Sequence, residues 1–146
     1  MAFTGSYMCT SFKAELAKAQ HNFSAAGGHS FKIALYDNTA TLNAATTAYT
    51  SAGELAAAGG YGTGGQALAA NIDPTTGGTT AFWSWTANPQ WVTATFTTYG
   101  ALIYNFTNSN KAVAVLDFGG AKPVSSGTFT IVLPTNDASN AILRIA

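Results

Sequence analysis

Charge is what this sequence has least of. Only 8% of its 146 residues are charged, and six basic and six acidic side chains cancel, about a third of the usual share. Such a chain projects no long-range field that would draw in nucleic acid or an anionic membrane. Binding a single strand would also require Lys and Arg interleaved with the aromatics, and Arg144 is the only arginine. Neither nucleic acid nor membrane is expected as a partner. Cysteine is nearly absent too: Cys9 stands alone, so no internal disulfide can form and the compartment is not revealed. A lone thiol of this kind is more often a small buried apolar group than a nucleophile. No apolar run approaches the ~20 residues of a membrane span. The opening MAFTGSYMC lacks the basic-then-apolar order of a signal peptide, so none is expected.

What is present is apolar and small. Hydrophobic residues make up 47%, and a chain of this length buries roughly 70% of its unfolded surface, enough for one domain with a real core. Thr, Ser, Asn and Ala must cover the outside. A surface without charge lacks the repulsion that keeps free monomers apart, which favours a subunit of an assembly, including a homo-oligomer.

The organising stretch is residues 97–118, TTYGALIYNFTNSNKAVAVLDF. Two apolar runs, 101–106 and 112–118, flank a polar turn rich in Asn and Ser, which reads as a β-hairpin. In the second run both alternating sets are apolar, the mark of a strand covered on both faces, and Leu116 is expected in the core. Further strands are expected over 30–36, 66–72, 79–85, 91–96, 127–133 and 141–145, separated mostly by Gly, Pro, Asn or Asp. Gly100 is read as a bulge, and Gly119-Gly120 with Pro123 as a connection. One helix is expected, capped by Ser11, carrying Phe12, Leu16, Ala19 and Phe23 as a stripe, and ending at Gly27-Gly28. A further helical turn is expected where Ser51 and Glu54 have capping-box spacing. The class that follows is mainly β: an antiparallel β-sandwich or jelly-roll-like barrel of about eight strands with one N-terminal helix. Residues 1–10 read as an arm that docks on its own domain or on a neighbour, and 11–146 as the single domain.

Several patterns invite chemistry. Gly60-Tyr61-Gly62-Thr63-Gly64-Gly65 matches G-x-G-x-x-G, but a helical turn before it and a strand after it invert the context that a dinucleotide site needs. His21, His29 and Cys9 match no zinc spacing, so no metal is expected. The six carboxylates, Glu15, Asp37, Glu54, Asp73, Asp117 and Asp137, are scattered through turns and helix surfaces. Nothing pairs a nucleophile with a base, so neither catalysis nor a cofactor is expected. Asn22 and Asn105 begin glycosylation sequons that read as chance. Trp83, Trp85 and Trp91 cluster, followed by Tyr99 and Tyr104; aromatics on a β face fill a core or subunit interface, or stack on sugars. With Phe3, Tyr7 and Met8 of the arm and Tyr61 of the glycine loop, these tryptophans are the candidate subunit interface.

Residues 8–13 (MCTSFK), 31–36, the 59–65 loop, 100–105 (GALIYN), 111–120 (KAVAVLDFGG) and 140–145 together span nearly the whole chain. In these segments it resembles a group of small structural proteins of tailed bacteriophages. The resemblance implies a non-enzymatic virion component assembled in the host cytoplasm, foremost a capsid decoration or cement protein bound to the major capsid protein or other virion subunits. A tail, neck or fibre-attachment part, or a carbohydrate- and receptor-binding module using residues 83–91, are the alternatives.

Overall fold

The expected hairpin is the middle of a far longer one. In the computed structural model, which describes residues 3–146, the first arm is β6 (Gln90–Asn105) and the second is β7 (Lys111–Thr130). The stretches 91–96 and 127–133, expected as separate strands, belong mostly to these two arms. The signals read as a connection are taken up as irregularities: residues 118–121 lie between the pairs Thr98↔Lys122 and Gly100↔Asp117, opposite Tyr99 alone. Gly119 (φ 71°) and Gly120 (φ 133°) supply the positive φ this detour needs. Pro123 pairs with Thr97 where β7 has no second neighbour, the place a sheet tolerates a residue without an N–H.

Around this hairpin stand β1 (Tyr7–Met8), α1 (Thr10–Ala17), β2 (Phe31–Tyr36), β3 (Gln66–Ala67), β4 (Thr75–Gly77), β5 (Thr80–Trp83) and β8 (Leu143–Ile145). One antiparallel sheet has the order β1-β7-β6-β2-β3 and the other β4-β5-β8. The protein is therefore mainly β, two sheets in a sandwich-like arrangement with one short helix. Ala112, Val113, Ala114 and Val115 are all buried, as a strand covered on both faces requires. Leu116 is only partly buried, packed against the core edge rather than within it.

Register assigns the two faces. Phe31, Ile33 and Leu35 align with Asn105, Ile103 and Ala101, and this face is covered by Phe23, stacked 4.4 Å from Phe31, and by Trp85, 5.8 Å away. Ala34 and Tyr36 align with Leu102 and Gly100 on the other face, which the irregular segment 37–65 covers. The expected helical turn does not form there: the Glu54 N–H closes a single turn on the Ser51 carbonyl at 3.2 Å, and Glu54 bridges to Tyr36.

The helix is shorter than its apolar stripe suggests. Cys9, not Ser11, occupies the N-cap, and helix α1 ends when Ala19 takes φ 55°. Ala19 N–H donates to the Leu16 carbonyl and Gln20 N–H to the Glu15 carbonyl, both at 3.0 Å, a Schellman closure with alanine where glycine is usual. The stripe still meets in space, since Phe12 and Phe23 pack edge to face at 5.9 Å. Beyond the helix, His21 and Phe23 turn inward, and their contacts outweigh continued helix.

The N-terminal segment packs on its own domain. Tyr7 and Met8 pair with Val115 and Ala114 as an edge strand, and Phe3 is buried against Gly100, where a Cβ would lie 2.5 Å from its ring. Met1 and Ala2 of the expected arm lie outside the described residues.

Candidate functional site

Two buried polar clusters flank the central strands, one on each face. The first is built on Glu54. Tyr49 donates its hydroxyl to one carboxylate oxygen at 2.5 Å; Tyr61 and the Gly64 N–H donate to the other, each at 2.6 Å. The Tyr61 oxygen also accepts the Leu35 N–H at 3.0 Å, and Leu55 N–H donates to the Leu35 carbonyl. Segment 54–61 thus satisfies the edge of β2 beyond the reach of β3. Tyr104 donates to the Gly64 carbonyl and Tyr36 to the Thr50 carbonyl, each at 2.6 Å. Burial foremost, then the Glu54 charge, pushes the Tyr104 phenol up to about 12 and drives Tyr36, Tyr49 and Tyr61 further up.

This cluster explains the glycine-rich loop. A Cβ at Gly59 would lie 2.1 Å from the Thr95 carbonyl oxygen, and one at Gly65 2.0 Å from that of Ile33. The loop is backbone laid against backbone, and glycine is what permits the approach. An anion does sit on its Gly64 N–H: the carboxylate of the chain's own Glu54.

The second cluster gathers Glu15 from α1, His21 and His29 from the segment after it, and Asn105 and Lys111 from the hairpin. His21 Nε2 lies 2.7 Å from Glu15 Oε2, and Lys111 Nζ is 3.7 Å from Glu15 Oε1. Asn105, fully buried, places its Nδ2 3.0 Å from His21 Nδ1 and 2.8 Å from His29 Nδ1. Its Oδ1 accepts the Asn108 N–H at 3.0 Å, while Asn108 Nδ2 donates to the Gln20 carbonyl at 2.7 Å. Burial holds the His21 imidazole below its ordinary value, against the opposing pull of Glu15. A sequon asparagine so placed is closed to glycosylation.

A carboxylate–imidazole pair is also the orienting half of a catalytic triad. Here the other imidazole nitrogen meets an amide. Among the described residues no hydroxyl or thiol is hydrogen-bonded to either histidine. Three of the remaining carboxylates are held in local turns: Asp37 accepts from Thr39, Asp117 from the Gly119 N–H, and Asp137 from Ser139 and Asn140. Asp73 instead accepts the Ala25 N–H from a distant part of the chain. Burial first of all pushes the Cys9 thiol up to about 11, away from the reactive thiolate. Among the described residues no group of three or more His, Cys, Asp or Glu is placed to hold a metal ion.

Of the seven residues expected at a subunit interface, five lie inside the chain's own core. Phe3, Tyr61, Trp83, Trp85 and Trp91 are each at most 4% exposed, inside the core. Tyr7 and Met8 are partly buried in β1. Trp83 and Trp85 pack on Phe23, and Trp91 stacks on Tyr61 at 6.3 Å. The correction has a simple cause: alternation places Trp83 and Trp85 on one face without showing that the face is inward. The outward large apolar groups are Val92, Phe106, Val132 and Ile145. Val132 borders an open groove of about 270 Å³ with Phe118, Phe129 and Ile131.

Comparison with protein-family models, with curated proteins and with solved structures returned no match.

Proposed function

We propose that this chain is a non-enzymatic structural subunit of a tailed-phage virion, a decoration or cement protein that stabilises the head by binding the major capsid protein. The observation that carries the non-enzymatic part is the engagement of all six carboxylates and both histidines in internal hydrogen bonds that build turns, edges and clusters. A nearly uncharged exterior with outward Val92 and Val132 suits lasting contact with other subunits. The resemblance of its segments to phage structural proteins supplies the kind of assembly. Burial of Trp83, Trp85 and Trp91 removes the aromatic surface on which a sugar-binding reading rested.

Quantitative mass spectrometry of purified particles tests this reading. A copy number comparable to that of the major capsid protein is expected. A few copies per particle would point to a neck or tail position instead, and absence from particles would overturn the proposal.

A further inference from the structure

The histidine cluster has a directionality that fixes where every proton sits. Asn108 N–H, a donor only, faces one end of the Asn105 side chain, so that end is the carbonyl oxygen and the other is the NH2. The NH2 group in turn can only donate, and it faces Nδ1 of both His21 and His29. Both Nδ1 atoms are therefore acceptors, and in the neutral rings the proton is on Nε2. For His21 that proton points at Glu15 Oε2, while Lys111 faces the other Glu15 oxygen. Phe12 and Phe23 enclose the ring, at 4.7 and 6.3 Å between centroids.

We propose that Asn105 is a pH-operated toggle that couples the protonation of His21 to the Asn108 amide of the hairpin turn 106–110. A proton added to Nδ1 of His21 sets N–H against the Asn105 NH2. Rotating the amide by half a turn relieves this, because its oxygen then accepts from the imidazolium and from a neutral His29 in its Nδ1–H tautomer. The same rotation sets NH2 against the Asn108 N–H and breaks the bond between that N–H and Asn105 Oδ1. Ser109 and Asn110 both hold positive φ, 53° and 55°, without being glycine, while the bonds from Asn108 Nδ2 to the Gln20 carbonyl and from the Tyr49 N–H to the Asn110 carbonyl keep the turn in place. At neutral pH the chain of bonds links α1, the 20–29 segment and the hairpin; in acid the Asn108 N–H loses its acceptor. The groups facing His21 are Glu15 on α1, His29 ahead of β2 and Lys111 on β7. Of these side-chain types an imidazole alone changes charge near neutrality without help.

Isotope-edited NMR of the full chain tests the toggle. At about pH 7.5 both imidazoles should show the Nε2–H tautomer, and on moving to about pH 5 the Asn108 amide should lose protection, corrected for intrinsic exchange, by about tenfold or more. In Asn105→Asp a carboxylate accepts from both Asn108 and a protonated imidazole, so protection should persist in acid. Should that variant fail to fold, His21→Gln/His29→Gln, which keeps acceptors toward Asn105 without titrating, should likewise hold the Asn108 protection constant. An Nδ1–H tautomer at neutral pH, unchanged wild-type protection in acid, or the same loss in the double variant would each overturn the proposal.

Discussion

Glu54 and Glu15 are partly buried carboxylates on opposite faces of one sheet, and they differ in what surrounds them. Glu54 is held by two phenols and a backbone N–H, donors that keep their protons until strongly alkaline pH. Glu15 is held by an imidazole whose far nitrogen is committed to an amide. The first arrangement is a staple that fixes segment 37–65 on the sheet across the whole neutral range. The second joins α1 to the hairpin through an imidazole that can change charge, and the Asn105 amide must turn when it does. The same carboxylate chemistry gives permanence or response according to the partner's ordinary pKa.

The strongest way to break the comparison is to remove the staple. Glu54→Ala leaves the Tyr49 and Tyr61 hydroxyls and the Gly64 N–H without their acceptor, and each bond to a charged group contributes about 1.5–3 kcal/mol. A loss of about 3–5 kcal/mol in urea unfolding is expected, after relaxation and water entry recover part of the sum. A loss below about 1 kcal/mol would mean that Glu54 is an ordinary surface carboxylate. Gly65→Ala approaches the same staple from the backbone. Its φ of +74° and a Cβ 2.0 Å from the Ile33 carbonyl should cost about 2–4 kcal/mol through strain and displacement of the loop. Near-wild-type stability in that variant would show that the loop adapts and that Glu54 does not depend on it.

How far these features were legible follows from their range along the chain. The burial of Ala112 to Val115 on both faces could be read from the run itself, and β2 from its alternation. Gly119-Gly120 misled because a glycine pair marks a detour within a strand as readily as its end. The helix was read too long because Phe23 keeps helical spacing while leaving the helix to stack on Phe31. Ser51 and Glu54 have capping spacing, yet Glu54 is drawn to tyrosines on either side of it. The Asn105–His21 contact joins residues 84 positions apart, and no local pattern announces it. A buried asparagine closing an apolar strand was its only trace.

The smallest effect at neutral pH separates the clusters most cleanly, because their pH windows have opposite signs. His21 has a folded-state value below its ordinary one of 6.5, so the unfolded chain takes up the proton first as pH falls. Its contribution is complete above about pH 6.5 and is lost as pH drops toward the folded value. The tyrosines have raised folded-state values, so their contribution is complete below about pH 10 and is lost as pH rises beyond it. Asp137, held below its ordinary 3.8 chiefly by Asn140, adds a loss only in still stronger acid. The urea midpoint should therefore show a plateau through neutrality, an acid limb beginning near pH 6.5 and an alkaline limb beginning near pH 10. His21→Gln should flatten the first part of the acid limb and leave the alkaline limb in place. If the acid limb of this variant coincided with that of the wild type, the loss would belong to groups other than His21.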